Sequence, residues 1–492
     1  MNQLRQTRRD FLRGLAAAAC CGGASALFPQ LRMIGTALAA TRDLTGYKAL
    51  VCVYLSGGND SWNMLVPNDA ARHAVYAAAR GGVYNGSSNP GGLALARPTG
   101  AQVPLQSIVD AATSGDVSQY FMHPSLVRLA DIYRANKLAF AVNVGPLVRP
   151  IVMADYAQTA NRPPQLFSHS DQENLWHQAN VSAGSVLGWG GRSGDLVRAA
   201  NANQALSPCI SIAGANRFEI GLNTMPYQMS ASGLTALSGM CNPTPCSGVS
   251  ATSVRDNALN ALLEASYESD FAGEYAKVFR RGRDLYSLLK TGLDATTLVT
   301  TFPSGNSLAG QLQAVAKLIK LSRQEGYAAR QIYYVRYGGF DLHSGLMSGG
   351  NSDHAALLAN VDAALGAFWD ALGPGDIDAR NEVTVFSASE FARTLQSNGS
   401  GSDHGWGGVQ FVLGGAVNGG RLYSDGGGPI SGFPNQDLGA PNNFSRGQMI
   451  PGISVDQYAV TLARWLGVTA ASDLAAIFPN LSQFGSSNLG FV

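Results

Sequence analysis

Charged side chains are scarce in this chain of 492 residues, where Asp, Glu, Lys and Arg together make up only 14%. Neither sign dominates: the formal net charge is +1, and five arginines against one aspartate in the first 40 residues leave −3 for the rest. The chain therefore lacks the basic excess by which proteins bind nucleic acid. No uninterrupted apolar run of membrane-spanning length follows residue 40. The composition, 46% hydrophobic, instead fits a large buried core.

Cysteine is also rare, with six residues, two of which lie in the first 40. The segment CNPTPC, from Cys241 to Cys246, is a short proline-containing loop that an oxidising compartment can close as a disulfide. Cys52 lies inside an apolar run and is predicted to be an inert core thiol. Neither feature predicts a thiolate at a functional site.

The first 40 residues have the pattern of a targeting segment. A pair of arginines, Arg8 and Arg9, precedes an apolar stretch, and small residues near Ala39 offer a cleavage point. This pattern resembles a twin-arginine export signal, so the expected partner is the twin-arginine translocase and the mature chain is expected to be periplasmic or secreted. A lipoprotein leader acylated at Cys20 is the alternative. No integral membrane span is expected after cleavage, and export in the folded state, often with a cofactor already bound, favours a metal.

The rest of the chain alternates between two kinds of apolar pattern. Continuous apolar runs bounded by Gly or Asn predict strands that are covered on both faces, at 49–58, 138–145, 209–214, 331–339, 382–390 and 409–416. Helical periodicity occurs between them, at 123–137, 307–326, 354–372 and 454–467. This alternation predicts an α/β fold with a doubly wound, mostly parallel sheet over residues 45–492. Residues of about 215–300 break the rhythm and are interpreted as a helical insertion.

Acids and histidines follow the predicted strands in glycine-rich loops. Ligands bind beyond the carboxyl ends of the strands in an open parallel sheet, so we expect these residues to converge. The candidates are Asp60, Asp341, His343, Glu390, Asp403 and His404. Such oxygen and imidazole donors suit one or two divalent ions, of which Zn²⁺, Mn²⁺, Ca²⁺ and Mg²⁺ are all possible identities.

Each candidate has an ordinary structural alternative when it is taken alone. Asp60 in GGND is also typical of a turn or a helix cap. Asp341 and His343 could cap a turn, although an Asp-x-His after a strand is more specific. Glu390 could form a salt bridge with Arg393. The metal interpretation depends on all of these residues meeting at one place.

The order of several motifs resembles the bacterial domain of unknown function family 1501. The motifs are YLSGGNDSWNMLVP, LFSHSDQENLW, GWGGRSGDL, GGFDLHSG and SASEFARTLQSNGSGSDHGWGG, together with the twin-arginine leader. That family is similar in turn to the alkaline phosphatase and sulfatase superfamily. The resemblance implies an alkaline-phosphatase-like fold and hydrolysis of a small anionic ester of phosphate or sulfate.

The resemblance also implies roles for single residues. Asp60 and Glu390 match ligands of one metal, and Asp341, His343 and His404 match ligands of the other. Phe391 stands where a histidine often follows the strand-end acid, so that one metal site is expected to be incomplete.

The resemblance places the nucleophile in the segment FSHSDQENLW. Ser168 is the expected nucleophile and Ser170 is its alternative, at the start of a helix expected near Asp171. Plain helix capping is the ordinary explanation of both serines. Substrate contacts are expected from Asn59, His169 and Arg393, with metal binding as the alternative for His169.

Two function classes therefore stay open. The first is an exported, metal-dependent hydrolase of phosphate or sulfate esters. The second is an exported, non-catalytic metal-binding or assembly protein on the same fold. A nicotinamide-dependent oxidoreductase is disfavoured, because the glycine-rich GWGGRSG at 188–194 has the wrong spacing for a dinucleotide loop.

Overall fold

A computed structural model describes residues 44–98, 104–105, 120–181, 185–242, 246, 248–424, 428–429, 434–485 and 487–492. The predicted export leader lies outside the described residues. In the part of the chain that the structure describes, no helix is both long and apolar enough to cross a membrane.

A ten-stranded mixed sheet forms the centre of the molecule, in the order β12-β11-β5-β10-β9-β1-β8-β6-β7, with β15 also paired to β5. Two smaller sheets are β2-β4-β3 and β13-β14. The strands are β1 (Lys48–Leu55), β2 (Leu65–Pro67), β3 (Pro104–Leu105), β4 (Tyr120–Met122), β5 (Leu138–Gly145), β6 (Cys209–Ser211), β7 (Tyr227–Gln228), β8 (Arg330–Tyr337), β9 (Val383–Ala388), β10 (Gly408–Gly414), β11 (Leu422–Ser424), β12 (Gly428–Pro429), β13 (Asn443–Phe444), β14 (Gln448–Met449) and β15 (Ile453–Ser454).

Helices lie between these strands along the chain. They are α1 (Ser61–Met64), α2 (Ala70–Ala79), α3 (Val127–Arg134), α4 (His169–Gln178), α5 (Trp189–Val197), α6 (Ala251–Glu264), α7 (Asp270–Ala295), α8 (Ser307–Glu325), α9 (His354–Ala371), α10 (Val455–Leu466) and α11 (Ala471–Ile477). All six strands and all four helices predicted from the apolar patterns are present, with shifts of a few residues at their ends.

Helices cover both faces of the sheet, as the predicted doubly wound fold requires. Alternate residues of β1 enter two different cores, because successive side chains of a strand point to opposite faces. Val51 and Val53 pack in the core that contains α3, α8 and α9. Leu50 and Cys52 pack in the core that contains α5, α10 and α11. Every residue of β1 after Lys48 is buried, which explains its continuous apolar sequence.

The central sheet is parallel around β1, which pairs with β8 on one side and β9 on the other. Strand β10 runs antiparallel to both β5 and β9, and β12 runs antiparallel to β11 at the edge of the sheet. The first residues of β10 therefore lie at the edge where the neighbouring parallel strands end. The loop that leads into β10 thus joins the loops that leave β1, β8 and β9.

The glycines of GWGGRSG serve close packing of α5. A methyl group added at Gly188 would lie 2.1 Å from the backbone oxygen of Arg217, and one at Gly191 would lie 2.1 Å from the backbone of Ile220. These positions therefore need glycine so that the segment 217–221 can pack against α5. This packing explains the glycines of GWGGRSG without any role in binding a dinucleotide.

The predicted insertion contains β7 and the two helices α6 and α7. Cys241 and Cys246 form a disulfide just before α6, as expected from the loop CNPTPC. Much of the surface of α6 and α7 is exposed, whereas Leu285 and Leu289 near the end of α7 pack into the main core.

Candidate metal centre

Four side chains converge at the edge where β8 and β9 end and β10 begins. Asp341 and His343 follow β8, His404 precedes β10, and His169 is the first residue of α4. We call these four residues the His/Asp cluster. Its side chains are partly open to solvent, with exposed fractions from 23% for His404 to 47% for Asp341.

The distances within the cluster are those of ligands around one ion. The Nε2 atom of His404 lies 3.1 Å from Nε2 of His169 and 3.0 Å from Nε2 of His343. Oδ1 of Asp341 lies 3.1 Å from Nε2 of His343 and 3.5 Å from Nε2 of His404. Oδ2 of Asp341 lies 3.5 Å from Nε2 of His169. Ligand atoms bonded at ~2.0–2.1 Å to a tetrahedral Zn²⁺ lie about 3.3 Å apart, which matches these separations.

The outer nitrogen of each imidazole has an acceptor. Nδ1 of His404 donates to the carbonyl oxygen of Phe167 at 2.7 Å. Nδ1 of His169 lies 2.8 Å from Oε1 of Glu390, and Nδ1 of His343 lies 3.0 Å from Oδ1 of Asp403. This network assigns the hydrogen of each neutral ring to Nδ1. Three Nε2 lone pairs then point at one another, an arrangement that is repulsive without a cation between them and that is usual for metal-ligating histidines.

His169, Asp341 and His404 form a group in which each residue has a ligand atom within 4.8 Å of the others. His343 adds a further nitrogen on the side of His404. Two imidazoles and one carboxylate leave a coordination position for water or substrate, as catalytic zinc sites do. The residues therefore fit a divalent metal by donor chemistry, spacing and hydrogen bonding.

The backbone before α4 is held in an uncommon conformation. Gln165 and Phe167 have positive φ angles of 51° and 72°. Such left-handed conformations cost roughly 1 kcal/mol or more for residues other than glycine, and they cluster at functional sites. Here the bend presents the carbonyl of Phe167 to His404, so the strained segment fixes the direction of an imidazole in the cluster.

Charges around the cluster shift the pKa values of its members. Burial would raise the pKa of Asp341, but the hydrogen bond and charge of Arg393, with His169 and His343, outweigh it and lower the pKa. The hydrogen bond to Glu390 raises the pKa of His169. Burial lowers the pKa of His404. Asp341 is therefore ionised and His404 neutral near pH 7, which are the forms that bind a metal.

Ser168, the expected nucleophile, immediately precedes the cluster residue His169. It occupies the N-cap position of α4, yet its hydroxyl makes no bond to the helix backbone. The hydroxyl donates instead to Oδ2 of Asp171 at 2.6 Å. Helix α4 thus begins two residues before the expected start. The hydroxyl of Ser168 therefore does not cap the helix: it is half-buried and donates its hydrogen bond to a carboxylate. Ser170, by contrast, is exposed.

The structure does not bring Asp60 into the cluster. Asp60 is buried, with 1% exposure, and forms an ion pair with Arg80, whose side chain is wholly buried. We call these two residues and their neighbours Asn59 and His354 the Asp60 pocket. Asn59 accepts a hydrogen bond from Nε2 of His354 at 3.0 Å and is itself 3% exposed, so its predicted contact with substrate gains no support.

Two further predicted site residues, both acids, lie behind the cluster. Oε1 of Glu390 accepts hydrogen bonds from the backbone nitrogen of Gly57 and from His169, both at 2.8 Å. Asp403 accepts hydrogen bonds from His343 and pairs with Arg446. The structure therefore shows both acids as partners that orient histidines, a role other than the predicted one of ligand.

Arg393 is fully buried and lies behind Asp341. Its Nη1 donates to Oδ1 of Asp341 at 2.9 Å, and its Nη2 donates to the carbonyl oxygen of Ser402 at 2.6 Å. A guanidinium in this position has no access to a substrate, so the predicted substrate contact is replaced by orientation of Asp341. Phe391 contacts the rings of His169 and His404 at centroid distances of 4.8 and 4.6 Å, and fills the space beside Gly58.

Two members of this edge were predicted only in part or not at all. His169 was expected to bind either the substrate or a metal, and it supplies a nitrogen to the cluster. Its position in a loop after β5 is the signal that could have identified it, because β5 ends at the same edge as the other strands. Arg80 had no signal in the sequence, since it directly follows α2 and meets Asp60 only through the fold.

This chain can be compared with protein families, with curated proteins and with solved structures. Residues 307–428 match the family described as "Protein of unknown function (DUF1501)". A search of curated proteins finds no match. Two crystal structures show distant similarity. One is the C-terminal periplasmic domain of EcEptC from Escherichia coli in complex with Zn, at 9% identity and a TM-score of 0.31, covering 87% of this chain and 84% of that chain. The other is Ps i-CgsB in complex with k-i-k-neocarrahexaose, at 9% identity and a TM-score of 0.34, covering 90% of this chain and 78% of that chain.

The family match includes the segment with Asp341, His343 and His404, which carries two of the motifs that predict this family. Over residues 307–428, about a quarter of its length, the chain is similar to this family of unknown function.

Proposed function

We propose that this protein is an exported, metal-dependent hydrolase of phosphate or sulfate esters that uses one divalent ion. The observation that carries the proposal is the convergence of three imidazole Nε2 atoms and the Asp341 carboxylate, with distances of 3.0–3.5 Å between neighbouring atoms. Export through the twin-arginine translocase is part of the proposal and is supported by the sequence of the first 40 residues.

His169, Asp341 and His404 would hold the ion, with His343 as the additional donor. When bound, such an ion polarises an ester oxygen or lowers the pKa of a bound water. The residues around it perform the remaining tasks. Glu390 and Asp403 keep the Nε2 lone pairs of two histidines directed inward, and metal-ligating histidines regularly depend on such partners.

Ser168 is the proposed nucleophile. It lies at the N-terminus of a ten-residue helix, where free N–H groups and the helix dipole favour an anion. Asp171 accepts its hydroxyl hydrogen at 2.6 Å and is placed to take up the proton when the oxygen attacks. Ser170 is exposed and contacts Ser168 at 3.5 Å, and it is the alternative nucleophile.

The test is an assay of the mature protein on aryl phosphates, phosphodiesters and sulfates with Zn²⁺, Mn²⁺, Ca²⁺ or Mg²⁺ added singly. We expect turnover that chelation abolishes, and loss of turnover by at least roughly a hundredfold in Ser168→Ala, as is usual for a catalytic nucleophile. Ser170→Ala is the matched control. Absence of turnover with every metal and ester would refute the hydrolase.

A non-catalytic metal-binding protein is the second candidate. The observation that favours it is the Asp60 pocket, where a buried guanidinium occupies the side of Asp60 on which a second metal is expected. Two results together would support this candidate over the hydrolase. The protein would bind one metal ion per chain, with binding unaltered by Ser168→Ala, and it would turn over no ester.

A further inference from the structure

A groove of about 710 Å³ borders the His/Asp cluster and takes no part in holding the metal. Its walls come from the segment 148–167, from Val181 and from Asn480. Phe167 belongs to the groove and also contacts the cluster, because its carbonyl oxygen accepts the hydrogen bond from His404. A volume of this size is typical of sites that bind small organic ligands.

The groove has a rigid cation on its wall. The guanidinium of Arg162 lies 4.6 Å from the ring centroid of Tyr156, which fixes its position by a cation–π contact. Within the described ranges, no carboxylate pairs with Arg162 and no acceptor receives a hydrogen bond from its side chain. A guanidinium with unused donors that is held beside a groove is suited to a carboxylate, sulfate or phosphate.

A second donor lines the same groove. Nδ2 of Asn480 is buried and has no hydrogen-bond partner among the described residues. A buried donor without a partner costs free energy, so its presence at a ligand-sized groove indicates an acceptor that comes from a ligand. Both of these polar groups on the wall are therefore donors.

The remaining wall combines aromatic and proline side chains with the polar side chains of Thr159 and Gln165. Tyr156 contacts Phe444 with a centroid distance of 3.9 Å, and Phe167 stacks on Phe444 at 6.3 Å. Pro163 and Pro164 continue the surface. Flat aromatic and proline surfaces favour a ring over a flexible chain.

We propose that this groove binds the alcohol part of the ester, and that the preferred substrates carry a ring and a second anionic group that contacts Arg162. This inference rests on the proposed function, because it assumes that the phosphate or sulfate ester itself, the first anionic group of the substrate, binds at the His/Asp cluster. It adds a residue, Arg162, that selects among esters without contact with the reacting atoms.

Binding of two aromatic probes tests the groove without any reaction. The probes are 1,5-naphthalenedisulfonate and 1-naphthalenesulfonate, measured by calorimetry on the metal-loaded protein. We expect the disulfonate to bind more tightly, and Arg162→Gln to weaken it by about tenfold or more while changing the monosulfonate little, because a charge-assisted hydrogen bond is lost. Arg149→Gln is the matched control, since Arg149 is exposed in the same segment and does not line the groove.

Equal binding of the two probes, or equal weakening by Arg162→Gln and Arg149→Gln, would overturn the inference, as would absence of binding by the wild-type protein. A kinetic arm compares phenyl phosphate with 4-carboxyphenyl phosphate, and we expect Arg162→Gln to raise KM for the second ester with little change in kcat. If no ester is hydrolysed but disulfonate binding still depends on Arg162, the hydrolase fails and the groove stands as an anion-binding site.

Discussion

The His/Asp cluster and the Asp60 pocket lie at the same edge of the sheet, and both contain an acid that follows a strand. In the cluster, Asp341 faces three imidazole nitrogens that carry lone pairs. In the pocket, Asp60 faces the guanidinium of Arg80. The difference shows that a place at the end of a strand does not make an acid a ligand; a ligand also needs a space beside it that no protein cation already fills.

Electrostatics reinforce this contrast. Burial and the charges of Arg80 and Arg393 lower the pKa of His354 to about 3, so this histidine of the Asp60 pocket is neutral. A pocket that already keeps a histidine uncharged disfavours another cation, because two like charges in a buried site repel strongly. The cluster is more open, and all three of its imidazoles direct their hydrogens outward. This asymmetry is the reason for proposing one ion per chain.

The largest effect that tests the comparison is expected from Asp60→Asn. This change leaves the guanidinium of Arg80 buried without a counter-charge, and breaking such a pair costs about 3–5 kcal/mol of unfolding free energy. Denaturant unfolding in the presence of a chelator measures this loss without any contribution from metal. Metal affinity of the folded variant should be unchanged.

Asp341→Asn is the matched control for that experiment, because Asp341 is half-exposed and belongs to the cluster. We expect the opposite balance: metal binding becomes weak, whereas chelator-treated stability falls by less than in Asp60→Asn, because the buried Arg393 loses a partner that is 47% exposed rather than buried. A variant Asp60→Asn that keeps its stability but loses metal would reverse the assignment of the two regions and restore Asp60 as a ligand.

His404→Ala is expected to give the next largest effect, on metal affinity. Loss of an orienting partner of a ligand typically costs 10–100-fold in affinity, so loss of a central ligand should cost at least roughly a hundredfold. Competition with a chromophoric chelator measures the affinity, and added metal should no longer raise the unfolding temperature, since ligand-linked stabilisation requires binding to the folded state. His73→Ala is the control, because His73 lies in α2 outside the cluster. Equal zinc affinity in both variants would contradict the proposed site.

The sequence predicted the strands more completely than the site, for a physical reason. Continuous apolar runs such as Leu138–Gly145 form strands wherever both faces of a sheet are covered, and this requirement is local. The partner of an acid is not local. Nothing in the neighbourhood of Asp60 in the sequence indicates that Arg80 will meet it after α2 folds back, and nothing near Glu390 indicates that Gly57 and His169 will take its hydrogen bonds.

A smaller effect is expected from Glu390→Gln, which distinguishes an orienting partner from a ligand. The amide keeps the size of Glu390 but loses the charge that directs Nδ1 of His169, so metal affinity should fall by about tenfold. Glu173→Gln is the control, because Glu173 lies in the same helix as His169 but pairs with Arg336. A fall as large as that of His404→Ala would instead identify Glu390 as a ligand, as the sequence motifs imply.

The last prediction concerns Glu219, a third kind of acid that sharpens the contrast with Asp60. Glu219 is fully buried, like Asp60, but no cation among the described residues pairs with it. Asn216 is the one side chain among the described residues that donates a hydrogen bond to its carboxylate, at 2.8 Å. Burial raises its pKa to about 8, although the bonds from Asn216 and Ile210 oppose the shift. The folded protein therefore keeps this proton at pH values where the unfolded chain has already released it.

The sign of the resulting pH dependence follows from this difference in bound protons. Between about pH 4.5, where an unfolded glutamate titrates, and about pH 8, the folded state holds the extra proton. Over that range each unit of rising pH should remove up to roughly 1.4 kcal/mol from the free energy of unfolding through Glu219. Glu219→Gln should remove this slope while Asp60→Asn retains it, as denaturant unfolding at several pH values in the presence of a chelator would measure. An unchanged slope in Glu219→Gln would mean that this acid is already ionised in the folded protein, and that a buried carboxylate in this fold does not need a cation such as Arg80 to remain charged.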